Sequence, residues 1–166
     1  MPETTRFCGV PDGGGSIGPL IFGSPGGRWS RGALSVSINP NGCNFVNVTG
    51  SALTAVGVIM NAFGIWQAAS PFFNFSQVPS NATADIRVVF GGSNIDSRFG
   101  TPGGVAGSAG YPGTSTQGNI QFDSAETWSD GSIPGTVNLL KIAIHEIGHL
   151  LGLSHSDQPG GTMYPY

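Results

Sequence analysis

The sequence predicts one mixed α/β domain of 166 residues. Two long stretches place large apolar residues three or four apart, as helices do, and three short runs alternate or are rich in β-branched residues, as strands do. Helical and strand patterns follow one another with no linker or internal repeat between them. They are therefore expected to share one core, which a chain of this length can build.

Residues 1–28 are rich in Gly and Pro and read as extended or irregular. Leu34-Ser-Val-Ser-Ile38 alternates and predicts a strand, closed by the turn Asn39-Pro-Asn-Gly42. A helix is expected over about residues 51–69, where Leu53, Val56, Met60, Phe63 and Trp66 recur at helical spacing and Pro71 ends the run. Its interspersed Thr54, Gly57, Asn61, Gly64 and Gln67 make it a buried amphipathic helix rather than a membrane span. Phe72 to Phe75 read as extended, and Ala84 to Phe90 as the second strand. From Gly91 to Gly118 only a short strand around Val105 is expected, and structureless loops that long are uncommon unless they bind something. Ile120-Gln-Phe122 predicts the third strand, and Val137 to Leu151 the second helix, stopped by Gly152.

Composition narrows the function classes. Charged residues make up only 9 %, and the net charge is −3. The basic residues are scattered, so there is no footprint for nucleic acid. No membrane partner is expected, and the chain reads as a monomer. Low charge with a Gly- and Ser-rich surface favours a secreted, extracellular protein. Met1 to Arg6 is polar and is not an export signal, which would have to come from outside this sequence. Asn47, Asn74 and Asn81 each begin an Asn-x-Ser/Thr sequon.

The chemistry is concentrated in His145-Glu-Ile-Gly-His149-Leu-Leu-Gly152-Leu-Ser-His155. His145 and His149, four apart on a helix, project from one face and can bind one Zn²⁺. Gly152 permits a sharp helix end that returns His155 as a third ligand. Three protein ligands leave a position open, as in catalytic rather than structural zinc sites. Glu146 is placed to act as general base toward a water. The chain has three histidines, and all three lie in this motif, which argues against core filler.

This motif resembles that of the metzincin peptidases, and within them the matrixins, the matrix metalloproteinase family. Cys8-Gly-Val-Pro-Asp12 resembles the family's cysteine-switch segment, so residues 1–20 would form a switch-like N-terminal segment of one catalytic domain spanning 1–166. Trp29 with Leu34 to Ile38, Ala62 to Trp66, Ala84-Asp-Ile86, Phe122 to Trp128, Ser156 and the Met-turn Met163-Tyr-Pro165 are similar to further family segments. The resemblance implies a zinc-dependent endopeptidase whose fold is a twisted, mostly parallel sheet with one antiparallel edge strand, packed on two main helices. A polypeptide substrate would lie extended along that edge strand, about Gly104 to Tyr111. An apolar pocket beside the zinc would be walled by Met163, Tyr164, Pro165 and Tyr166. Lys141 would either reach this pocket or point to solvent.

Departures from the family pattern carry expectations too. Ser108 and Gln121 stand where two ligands of a second, structural zinc would be, so that site is expected to be absent. Asp85, Gly118 and Asn119 fall where the family binds one Ca²⁺, and Asp123 and Glu126 where it binds another, with Gly100 in place of an Asp. The family's last helix would follow Tyr166. Phe7 replaces the Arg that precedes the switch cysteine. Cys8 is thus a candidate latent-state zinc ligand, a disulfide partner of Cys43, or a free thiol. The alternative to a peptidase is a catalytically silent zinc- or protein-binding module of the same fold, against which the intact Glu146 argues.

Overall fold

A computed structural model describes residues 8–9, 27–48, 50–131 and 133–165. Strand β1 (Ala33–Asn39) buries Leu34, Val36 and Ile38, the apolar half of its alternation. It pairs in parallel with β3 (Asn74–Val78) on one side and β4 (Ile86–Gly91) on the other. Beyond β4 lies parallel β6 (Asn119–Asp123), and β5 (Gly107–Ala109) closes the sheet antiparallel to β6. The order β3-β1-β4-β6-β5 is the mostly parallel sheet with one antiparallel edge that the family resemblance implies.

Helix α1 (Ala55–Ala69) begins at Thr54, whose hydroxyl accepts the Gly57 N–H. It buries Ala55, Val58, Ile59, Ala62 and Phe63, the stripe expected of an amphipathic helix. Residues 51–54, expected inside the helix, precede it, because the capping bond fixes the start at Thr54. Helix α2 (Leu139–Leu150) is capped by Asn138, whose side chain accepts the Lys141 N–H. Val137 and Asn138 are therefore not helical. They form the short strand β8 (Val137–Asn138), which completes a three-stranded sheet with β2 (Asn44–Val46) and β7 (Thr127–Ser129). This second sheet was not expected, since runs of two or three residues carry no readable period. The candidate strand around Val105 falls two residues later, at β5, and β3 starts at Asn74 rather than Phe72.

The helices pack on each other, α1 against β3 and α2 against β5 and β6. Two indoles pin α2 in place. The Trp66 Nε1–H donates to Ile144 O at 2.9 Å, and the Trp29 Nε1–H to Leu150 O at 2.9 Å. On the sheet side, Trp128 stands edge-on to both Phe90 and Phe122, which are tilted against each other. Among the described residues no helix is long and apolar enough to cross a membrane.

Candidate metal centre and active-site cleft

His145 and His149 lie on the buried side of α2. After Leu151 the chain turns through Gly152, at φ +109°. The Gly152 N–H donates to His149 O and the Leu153 N–H to Gly148 O, a Schellman pair of bonds. A side chain at residue 152 would meet the left-handed penalty that glycine escapes. This turn returns the chain so that His155 faces the other two imidazoles.

The three rings meet at their Nε2 atoms. His149 Nε2 is 3.1 Å from His145 Nε2 and 3.1 Å from His155 Nε2. The far sides of two rings are fixed, since His145 Nδ1 lies 2.8 Å from Thr162 O and His149 Nδ1 lies 2.7 Å from Leu153 O. A carbonyl oxygen only accepts, so each Nδ1 carries the proton and each Nε2 presents a lone pair. Burial pushes the pKa of His145 down to about 4 and that of His149 down to about 3, so both rings are neutral. Lone pairs held face to face this closely repel unless a cation lies between them. Zn–N bonds of about 2.0–2.1 Å would place two tetrahedral ligands about 3.3 Å apart, close to the spacing found. The donor set fits zinc.

Met163 forms the floor. It is buried, and a β-carbon on Gly148 would lie 2.3 Å from its Sδ. Gly148 is thus the gap in α2, between the two histidines, that admits the thioether. Ser156 N–H donates to Met163 O at 2.8 Å, tying the His155 segment to the same turn.

A fourth ligand atom approaches the histidines. Cys8 Sγ lies 3.4 Å from His149 Nε2, and the Cys8, His145, His149 and His155 ligand atoms all fall within 4.8 Å of one another. Cys8 bridges in parallel to Gly107, and the Gly9 N–H donates to Gly107 O at 2.7 Å, so this segment lies on the free edge of β5. Neither Cys8 nor Cys43 is in a disulfide. The disulfide alternative is therefore not what the structure holds. Cys43 lies in the link from β1 to β2, where burial pushes its thiol up to about 12.

Glu146 is fully buried, and among the described residues neither carboxyl oxygen has a hydrogen-bond partner of normal geometry. Desolvation pushes its pKa up to about 8, opposed in part by the nearby Cys8 thiol and the Arg98 charge. A β-carbon on Gly107 would lie 3.0 Å from Glu146 Oε1, so the edge strand passes directly over the carboxyl group. An unsatisfied buried carboxyl at the foot of a cleft is costly to fold. Its retention beside three convergent imidazoles fits a group kept for chemistry.

Of the proposed pocket residues, Met163 is buried, Tyr164 and Pro165 are half-buried, and Tyr166 lies outside the described residues. Lys141 is exposed on the first turn of α2, and its charge reaches His145. Sequence reasoning assigned Tyr111 only to the end of the edge strand. Its ring stands edge-on to His149 at 5.4 Å, with the hydroxyl 3.2 Å from His149 Nδ1. The one signal available was an aromatic just beyond a strand that borders the metal.

The residues proposed for calcium have other work in the fold. The Asp85 carboxylate accepts the Ser35 N–H and hydroxyl at 2.8 Å each and pairs with Arg31; the Ser35 N–H bond above all, then the Ser35 hydroxyl and the Arg31 charge, hold its pKa below the usual range. Gly118, at φ +84°, abuts the Asp85 backbone closely enough to exclude a β-carbon, and the Gly110 N–H donates to Asn119 O. Asp123 accepts the Gly100 and Ala125 N–H groups, and Glu126 accepts that of Gly103 at 2.6 Å. Ser108 and Gln121 face each other across the β5–β6 pair, where the Ser108 hydroxyl bonds Arg98.

Comparison with known proteins gives the family. The matrixin family model matches residues 28–166. Human neutrophil collagenase is 38% identical over 95% of this chain, covering 32% of its own length. The hatching enzyme of Paracentrotus lividus is 35% identical over 98% of the chain and 26% of itself. Macrophage metalloelastase of Rattus norvegicus is 41% identical over 97% of the chain and 32% of itself. The chain thus spans about a third or less of these relatives' length.

Proposed function

The chain belongs to the matrixin family, and from that premise we propose that it is a zinc-dependent endopeptidase that cleaves extended polypeptides in an extracellular setting. The observation that carries this reading is the convergence of three imidazole Nε2 atoms beside the buried Glu146 carboxyl. His145, His149 and His155 would hold the metal. Zinc there would supply Lewis acidity toward a peptide carbonyl and toward water. Glu146 accepts a proton from the attacking water and delivers it to the departing amine. The substrate backbone adds to the free edge of β5, which fixes the scissile bond over Glu146. Met163, Tyr164 and Pro165 would flank the pocket for the following side chain, with Lys141 at its margin. Calcium at Asp85, Gly118 and Asn119, or at Asp123 and Glu126, is a separate proposal. Those carboxylates would have to exchange backbone or Arg31 partners for the ion.

A second reading concerns state. The Cys8 sulfur against His149, on a segment paired with Gly107, favours a latent form in which the thiolate takes the open zinc position and blocks the edge strand. The test is hydrolysis of gelatin or casein by the zinc-loaded protein, before and after alkylation of Cys8. The endopeptidase reading predicts cleavage that is lost with a chelator and in Glu146→Ala. The latent reading predicts that cleavage rises when Cys8 is alkylated or replaced by Ala. Zinc-loaded Cys8→Ala protein that binds gelatin without cleaving it would favour the silent module.

A further inference from the structure

On the outer face of the edge strand lies a cavity of about 430 Å³, bordered by Arg98, Ser108, Tyr111, Thr116, Asn119 and Gln121. Side chains alternate across β5. The β-carbon direction of Gly107 meets Glu146 and Ile142 on the inner side, and Ser108 turns outward to accept a bond from Arg98 Nη2 at 3.1 Å. A strand added to the free edge alternates in the same way. Cys8 turns inward to the histidines, and Gly9 turns outward. A β-carbon on Gly9 would lie 2.8 Å from Arg98 Cζ, 2.9 Å from Arg98 Nη1 and 2.8 Å from Val105 Cγ1, so any side chain at this place needs the flexible tip of Arg98 to give way.

Arg98 is held in place for this contact. Its Nε donates to Asp96 Oδ1 at 2.8 Å, and its Nη2 to Asp96 Oδ2 and Ser108. Nη1 has no acceptor among the described residues, and it is the guanidinium nitrogen that borders the Gly9 position. One donor corner is left toward the groove, on a side-chain tip that can swing aside to meet an incoming carboxylate. We propose that Arg98 is a specificity-determining residue of the substrate groove. It would read the outward-facing side chain next to the residue that faces the metal, favouring Asp or Glu, admitting Gly, and rejecting Lys or Arg. This rests on the endopeptidase reading. The carboxylate of Asp96 offsets part of the charge, so the expected discrimination is moderate, about tenfold between acid and base.

The test uses the zinc-loaded Cys8→Ala/Glu146→Ala double variant, which clears the groove and prevents turnover. Fluorescent octapeptides with Glu, Gly or Lys walked through every position are titrated against it, with zinc content and Tm checked for each variant. At one position Glu should bind about tenfold more tightly than Lys. That ratio should fall to near one in Arg98→Gln and invert in Arg98→Glu. Should those variants not fold, the ratio measured with Arg98 intact must still collapse from low to 1 M salt, as an ionic contact requires. Peptides that bind with no acid–base preference at any position would overturn the role of Arg98 and leave the endopeptidase reading standing. So would a preference that neither salt nor the Arg98 variants alter. No binding of any peptide to the zinc-loaded protein would overturn both, by removing the groove itself.

Discussion

The floor of the cleft and the wall that faces it are held by different kinds of contact. The floor, from α2 through Met163, is stitched largely within its own stretch of chain, with the Trp29 and Trp66 indoles pinning α2 from outside it. His149 bonds Leu153, the Gly152 turn closes on Gly148 and His149, and His145 reaches Thr162. The wall, residues 92–118, is anchored largely through carboxylates on and after β6: Asp123 to Gly100 and Glu126 to Gly103, each 23 residues away. Its rim is braced by the Asp96–Arg98–Ser108 contacts. The floor is therefore set by spacing, and the wall by a choice of partners that can change while the floor stays fixed. On the function proposed above, the chemistry sits on the floor and the selectivity on the wall.

Substitutions should separate the two. The largest effect is expected at Glu146. Glu146→Ala should keep its zinc and lose at least about 10²–10⁴-fold in kcat/KM, the usual worth of a positioned general base. Next comes Gly148→Ala, which forces a methyl into Met163 Sδ. It should cost about 1–3 kcal/mol, read as a lower Tm, and weaken zinc retention with it. Tyr111→Phe removes only the hydroxyl near His149 Nδ1. Competition with a chelator should show zinc affinity lowered by about tenfold, with Tm little changed.

The smallest effect belongs to the wall. Burial, with the Asp123 charge adding to it, raises the Glu126 pKa above its ordinary value, against the Gly103 bond. A raised folded pKa means a contribution that is full below the unfolded value near ~4.3 and is lost as pH rises through the folded pKa. Glu126→Gln keeps an oxygen for the Gly103 N–H and removes that dependence. Its Tm should fall less than that of the parent between pH 4 and 7. If calcium binds there, calcium should raise the parent's Tm at pH 7 and leave the variant's unchanged.

How much was legible in the sequence follows the same division. The motif from His145 to His155 carries its geometry in its spacing, because a helix and one glycine turn are enough to converge the rings. The apolar stripe of α1 was equally plain, although its start was misplaced by the Thr54 cap. The second sheet was not readable, since β2, β7 and β8 are too short to show a period. The placing of Cys8 was left open among three alternatives, because it depends on an edge-strand pairing with Gly107, 99 positions along the chain. Arg98 and Tyr111 gave no motif at all; their significance comes from what faces them across the groove.

The most direct test of the account is a zinc titration of metal-free Cys8→Ala protein, following bound zinc and gelatin hydrolysis together. The account predicts that hydrolysis rises in step with zinc and saturates at one bound ion per chain, that Glu146→Ala binds the same single ion without hydrolysis, and that His149→Ala binds it far more weakly. Hydrolysis that proceeds without zinc, or that survives in Glu146→Ala, would contradict it.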